Sequence, residues 1–347
     1  MKKRWAIRAV VLSLVVCAAA DALDTIRTIK LGIAGHVIGM TSLQVELQLP
    51  NSANLIKEVP VNQILTVYYE EDPEELIKAK KQVLEGRYED AFAALGKLKK
   101  EPDRKEVRQD IEFYRALCTA KLALAGAGKI ADAGPMMKAF ADANPNSYHY
   151  FEAVELVGDL LLAVRQYSQA AEYYGRLAKA PWPDYQMRAG VATGRALLAQ
   201  GKPAEALDAF NKAIAVEGTG DMVETQRKLA ALGKAGVSLA MKKPDEAIQL
   251  AEEVFKSAGP RDDAIKAQVY NIEGTAHRQA GRTEDALFAF LHVELFYSSV
   301  PSAHAEALAN LAELWDQLHK AERASAARKT LEDRYKDSPW AKKTGHP

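Results

Sequence analysis

The sequence predicts a mainly α-helical protein, a solenoid of about seven helical hairpins preceded by a small all-β barrel. Two observations carry that prediction. Small and aromatic residues recur at helical spacing, as in Gly201, Pro203, Ala206, Phe210 and Ala213. The matching alanines, at 91, 133, 170, 206, 247, 286 and 324, follow one another at intervals of 36 to 42 residues. Between Leu23 and Glu70 the pattern is different: short runs rich in β-branched residues alternate apolar with polar side chains.

Met1–Ala22 is set apart from both. Lys2, Lys3, Arg4 and Arg8 precede the apolar run Ala9–Ala20, and Ala18–Ala20 and Ala20–Ala22 each fit an A-x-A cleavage site. The run falls short of the ~20 residues of a membrane span. This is the pattern of a cleaved secretory signal, and it predicts a mature N-terminus between Asp21 and Asp24 and a periplasmic or secreted protein. A lipoprotein reading through Cys17 meets Val16 where a small residue is usual. Cleavage removes four basic residues and one acid, taking the formal net charge from zero to −3. That balance lacks the basic footprint of a nucleic-acid binder. Cys118 is then the remaining cysteine, so no internal disulfide can form. Its setting, FYRALCTAKLALA, reads as helical core.

Residues 23–72 are expected to form the barrel. TIRTI, GIAGHVIGMT, LQVELQL and ILTVYY are separated by Thr41-Ser42, Pro50-Asn51-Ser52 and Pro60. Four or five short strands in this length resemble an SH3-like or Sm-like barrel, which would close its own edges. Leu31–Thr41 resembles the bent strand pair of such folds. His36 there reads as a solvated strand residue rather than a ligand.

Residues 73–340 are expected to form the solenoid. Asp72-Pro73-Glu74-Glu75 places a proline and acids where a helix begins. Gly201 suits a helix end at positive φ, Pro203 suits a first turn, and Ala206 lets two helices cross closely. The units read as Pro73–Pro102, Lys105–Pro145, Asn146–Ala180, Tyr185–Glu217, on to Gly259, on to about Ser299, and Pro301–Trp340, with residues 341–347 as a flexible tail. The barrel is expected to cap the first unit, as a solenoid end requires.

On these residues, over about Pro73–Trp340, the chain resembles a tetratricopeptide repeat (TPR) protein. Its ending, RYKDSPWAKK with the Ala324–Leu331 helix before it, resembles the last repeat of periplasmic TPR proteins associated with cell-envelope machinery. The resemblance implies a non-enzymatic protein–protein scaffold of the bacterial envelope that binds a protein or peptide partner through a concave groove. Two alternatives stand beside it: a cell-wall or saccharide binding module that reads through the barrel, and a non-catalytic subunit of an envelope enzyme complex.

Catalytic spacing is missing: there is no GxSxG, Walker loop or HExxH. Gly126-Ala127-Gly128 follows no strand, so it fails as a dinucleotide fingerprint. The histidines do not cluster, and no cofactor, metal or nucleic-acid partner is expected. The resemblance implies that the first helix of each unit lines the groove. The candidate groove residues are Glu155, Asp159, Arg188, Arg195, Asn271, Thr275 and Arg278, with Glu152, Gln268, Glu306, Glu313 and Asp316 on the same faces. The set departs from the Lys/Asn/Arg clamp of chaperone-binding TPRs, since unit five presents Leu229 and Leu232. For Arg195 the alternative to a partner contact is a brace to Asp159. Tyr150, Trp182 and Tyr185 are candidate aromatic contacts, or else packing between units.

Overall fold

Five antiparallel strands open the part of the chain that the computed structural model describes, residues 23–50 and 55–344. They are β1 (Asp24–Thr28), β2 (Gly32–Met40), β3 (Gln44–Gln48), β4 (Ile56–Pro60) and β5 (Ile64–Tyr68). The expected signal segment lies outside the described residues. Period-two alternation puts Ile26, Val45, Leu47, Val59 and Val67 into the core. The first half of β2 pairs with β1 and its second half with β3, with an irregularity between Val37 and Gly39.

The expected barrel is not closed. The strand order is β4-β3-β2-β1-β5, and the two edge strands do not pair with each other. The physical reason lies in the helices. The outer edge of β5 finds its partners there: Lys80 Nζ donates to the Val67 carbonyl at 2.7 Å, and the Val67 N–H reaches the Tyr148 hydroxyl at 3.4 Å. An edge satisfied in this way has no groups left for β4. β4 ends at Pro60 and exposes Lys57 and Glu58, which discourages pairing with another chain.

Fourteen helices then form seven hairpins: α1 (Glu74–Leu84) with α2 (Tyr88–Leu95), α3 (Lys105–Leu124) with α4 (Ile130–Ala143), α5 (Tyr150–Ala163) with α6 (Tyr167–Leu177), α7 (Pro183–Ala199) with α8 (Pro203–Ile214), α9 (Asp221–Ala240) with α10 (Pro244–Ser257), α11 (Asp263–Gln279) with α12 (Thr283–Phe296), and α13 (Pro301–Gln317) with α14 (Ala321–Tyr335). A last helix, α15 (Pro339–Thr344), extends through the first residues of the expected tail and buries Ala341.

Each hairpin turns through one left-handed residue: Gly86, Gly126, Arg165, Gly201, Lys242, Gly281 and His319, at φ between 57° and 81°. The N–H of the next residue returns to a carbonyl five positions back, as Lys202 does to Leu197 at 3.0 Å. In the second hairpin Gly126 makes this turn, not Gly128, so its key alanine, Ala133, stands two residues further from the turn than in the other units. Helix crossing is as close as the small residues imply. A Cβ on Gly194 would lie 2.5 Å from the Phe210 ring, and Ala206 and Phe210 are fully buried.

The sheet and the first hairpins share one core, which runs from Ile26 to Ala189. Charged groups fasten this junction. Lys80 on α1 is fully buried between Asp72 (2.6 Å) and Asp110 of α3 (2.7 Å), and His149 Nε2 lies 3.1 Å from the second Asp110 oxygen. Arg104, preceding α3, grips both oxygens of Asp24 at 2.8 Å and lies over the Tyr69 ring. Burial works to raise the Asp24 carboxyl, but Arg104 and the N–H groups of Val37 and Glu70 outweigh it and hold it below the usual range.

At the far end the array comes back on itself. The Asp337 N–H, in the α14–α15 turn, donates to the Gly126 carbonyl in the α3–α4 turn at 3.0 Å. A Cβ on Gly126 would meet the Ser338 Cβ at 2.5 Å, so the contact requires glycine there twice over, for space and for φ.

Candidate partner-binding cleft

The closing of the array leaves a cleft of about 830 Å³ on its inner side. One wall is built from successive hairpins: the α1–α2 turn at Gly86–Asp90, the end of α3 from Lys121 to Ala125, Asp159 and Leu162 on α5, and Arg195 on α7. Ser299, Pro301 and Ser302, where α12 passes into α13, supply the opposite wall. The cleft therefore exists only because hairpins distant in sequence are brought face to face.

Of its charged groups, Arg87, Glu89 and Asp90 come from the α1–α2 turn and the start of α2, while Asp159 and Arg195 belong to a seam between inner helices, where residues seven apart on a helix share a face. Arg188 and Arg195 on α7 meet Glu155 and Asp159 on α5, two pairs stacked along one helix-helix seam. Arg195 Nη2 lies 3.2 Å from Asp159 Oδ1, which also accepts from the Tyr174 hydroxyl at 2.9 Å. Burial and the neighbouring Glu155 raise the Asp159 carboxyl above its usual range, against the pull of Arg195. The brace between adjacent units is thus present, yet the Arg195 side chain keeps 50% of its surface exposed and remains reachable. Lys121 Nζ makes no hydrogen bond or ion pair among the described residues, and it faces the same cleft. Arg87 is held by Glu85 at 2.5 Å and Asp90 at 3.1 Å.

The remaining candidates fall elsewhere. Arg278 on α11 binds Asn310 and Glu313 of α13, the latter at 2.7 Å, repeating the brace between units six and seven. Asn271 is buried and donates to the Ala303 carbonyl at 2.9 Å, so it joins units six and seven and presents nothing to a partner. Thr275 is half-buried on the same helix. The aromatic candidates are packing residues. Tyr185 is buried, its ring 5.2 Å from Trp182 and 5.7 Å from Phe151, and Tyr150 and Trp182 pack against the core that receives the sheet. They form one aromatic cluster with Phe151 at the α6–α7 junction, and nearby Asn62, between β4 and β5, reaches Asp184 at 3.4 Å. Cys118 is fully buried, and burial pushes its thiol up to about 12, as suits an inert core residue.

Lys121, the α1–α2 turn and the Ser299–Ser302 segment are absent from the candidate list read from the sequence. A signal existed for Lys121, a charge near the end of an apolar helix. No local signal marks a loop that arrives from the other end of the array.

Among the described residues no group of His, Cys, Asp and Glu side chains could hold a metal ion, and no helix is long and apolar enough to cross a membrane.

With the geometry in place, comparison with known proteins supports the fold. A tetratricopeptide repeat family model matches residues 155–221 and 191–263. No curated protein matches the chain. Among solved structures the chain is similar to a Rap protein complexed with Competence and Sporulation Factor, with 14% identity, 76% of this chain and 74% of that one covered, and a TM-score of 0.55. It is also similar to a tetratricopeptide repeat protein from Parabacteroides merdae, with 16% identity, 75% and 92% covered, and a TM-score of 0.49. NprR in complex with its cognate peptide NprX gives 13% identity, 77% of each chain and a TM-score of 0.46. At these identities the likeness is one of fold.

Proposed function

We propose that the protein is a non-catalytic scaffold that holds an extended segment of a protein partner in the cleft between its first four hairpins and the α12–α13 turn. The observation that carries this reading is the pair of cations left available there. Lys121 makes no hydrogen bond or close ion pair among the described residues, its charge acting on nearby Asp159 only at longer range, and Arg195 is half exposed although it is braced. Both face a space with a volume in the range of ligand sites. The similarly folded Rap protein is found complexed with Competence and Sporulation Factor, which supports a binding role for such an array. The basic and apolar pattern of residues 1–22 supports export, and we place the scaffold in the bacterial envelope.

The test compares the mature protein with a Lys121→Ala, Arg195→Ala variant as bait in the native host's envelope fraction. The expected result is loss of one or more partners at unchanged circular dichroism, since truncating an interface arginine costs about 2 kcal/mol or more. A folded variant that recovers every partner at wild-type yield overturns the cleft assignment. Native protein whose intact mass still includes Met1–Ala20 overturns export.

A further inference from the structure

Outside the cleft, α12 departs from the rest of the array. An outer helix needs one apolar stripe facing its partner. α12 has that stripe, burying Ala286, Ala289, Phe290 and Val293. It then carries a second one. Phe288, Leu295 and Phe296 are exposed at 60%, 68% and 68%. With the exposed His292 they stand at helical positions i, i+4, i+7 and i+8, on one outward face. The stripe does not end at the helix. His292 stacks on Tyr270 of α11 with ring centroids 4.7 Å apart, Tyr270 meets Phe255 of α10 at 5.6 Å, and His292 meets Phe296 at 5.9 Å. A contiguous exposed apolar surface of this kind marks an interaction site.

The charges around it select the occupant. α12 holds no lysine or arginine. Glu284 and Asp285 stand at its start, Glu273 lies one turn along α11 from Tyr270, and Glu252 lies one turn before Phe255 on α10. Glu252, Glu273 and Glu284 have no hydrogen bond or ion pair among the described residues. Burial, together with the Glu252 charge, pushes the Glu273 carboxyl up to about 7, the behaviour of an acid with no cation in reach. Arg282, before α12, is engaged by Asp245 at 2.9 Å and by His277. Against these acids stand Lys256, next to Phe255 at the end of α10, and Lys266, one turn before Tyr270 on α11. A second copy of the chain would bring a second acidic rim, and an anionic bilayer would be repelled.

We infer that the outer face of α12, with Tyr270 and Phe255, docks an amphipathic helix of a partner whose apolar stripe is bordered by lysine or arginine. A partner helix would lay its own apolar stripe along the one formed by Phe288, His292 and Leu295. The stripe shares no lining residue with the cleft.

The probe is a fluorescent synthetic amphipathic helix of leucine and lysine about five turns long, titrated into the mature full-length protein. Two controls accompany it: the same composition scrambled to remove the stripe, and a leucine and glutamate version. The amphipathic lysine helix should bind and both controls should not. Phe288→Ser with Phe296→Ser should weaken binding about tenfold or more. Glu273→Gln with Glu284→Gln should weaken it less and flatten its salt dependence. Lys121→Ala with Arg195→Ala should leave it unchanged. Equal binding of the scrambled peptide would reduce the effect to bulk charge and overturn the proposal. So would loss of binding in the cleft variant, binding of anionic vesicles through the same phenylalanines, or a wild-type dimer in sedimentation that the serine variant abolishes, which would assign the face to a second copy. Because all the substituted residues are exposed or half-buried, two independent variant pairs keep the test decisive if one fails to fold.

Discussion

Two charge networks of similar composition hold this molecule together, and they sit in opposite environments. At the junction of sheet and array, Lys80 lies between Asp72 and Asp110 with none of the three side chains more than 2% exposed. Along the inner face, Arg195 and Asp159 pair at 3.2 Å with 50% and 25% of their side chains open to water. The distances are of the same kind, but the energetics differ. In water the Arg195 pair trades solvation for attraction at little net gain. In the junction the loss of one partner strands the others without solvent, which is strongly destabilising. The molecule thus places its costly charges where geometry must be unique and its cheap ones where water reaches them.

The largest effect should come from breaking the buried network at its centre. Lys80→Met leaves Asp72 and Asp110 buried and facing each other, and removes a donor from the Val67 carbonyl. The expected cost is about 3–5 kcal/mol in denaturant melts. Neutralising the acids as well, with Asp72→Asn and Asp110→Asn, should recover part of that loss, because the penalty arises from stranded charge rather than from a missing attraction. A single variant that melts like the wild type would show that the sheet is not held through Lys80.

The pH dependence separates the two acids of the junction. Burial pushes the Asp72 carboxyl up to about 6, more than Lys80 can offset. A raised acid binds its proton more tightly in the folded state. Its contribution is therefore full below the unfolded value of 3.8 and is lost as pH rises through about 6. The loss amounts to about 2–3 kcal/mol. For Asp110 burial is outweighed by Lys80 and His149, and its carboxyl is held below the usual range. Its contribution is present above the unfolded value and lost as pH falls through the depressed folded value. The junction should be most stable at pH ~4, where the two windows meet. Asp72→Asn should remove the decline between about pH 4 and 6, read as the shift of the urea midpoint. Parallel pH profiles for the two proteins would refute the assignment.

Much of this was legible locally and some could not be. Hairpin number and helix pairing follow from the spacing of Ala91, Ala206 and Ala286, which is a property of one unit at a time. The turn at Gly201 is likewise readable, whereas Arg165, Lys242 and His319 adopt the same left-handed conformation without being glycine. There the returning hydrogen bonds of the helix end outweigh a steric cost of about 1–2 kcal/mol, and no residue type announces it. Strands were visible from alternation, but closure of the barrel was not, because the fate of the β5 edge is decided by Lys80 and Tyr148. Lys80 left a trace: it follows Leu76 by one helical turn, on the face that should be apolar. The aromatic run Tyr148–Phe151 was conspicuous, but only the fold shows that Tyr148 reaches the β5 edge and His149 reaches Asp110. The cleft needed the whole array, since Ser299 and Lys121 meet only when six hairpins have set the curvature.

The smallest expected effect on stability belongs to Arg195, and it sharpens the comparison because its effect on binding should be the larger of the two. Arg195→Ala breaks one ion pair whose cation is half exposed, and solvent takes over much of what is lost. The expected change is no more than about 1 kcal/mol. Asp159 keeps the Tyr174 hydroxyl as a donor at 2.9 Å, so it is not left bare. Its carboxyl, already raised, should rise further once the guanidinium is gone, which can be followed by carbon-detected NMR titration of the Asp159 side chain. The brace at Arg188 and Glu155, one pair further along the same seam, stays intact and should preserve the packing of α5 on α7. If Arg195→Ala instead destabilises the protein as much as Lys80→Met does, the inner face is structural in the same sense as the junction. The half-exposed pair would then be a strut rather than a place where a partner can bind.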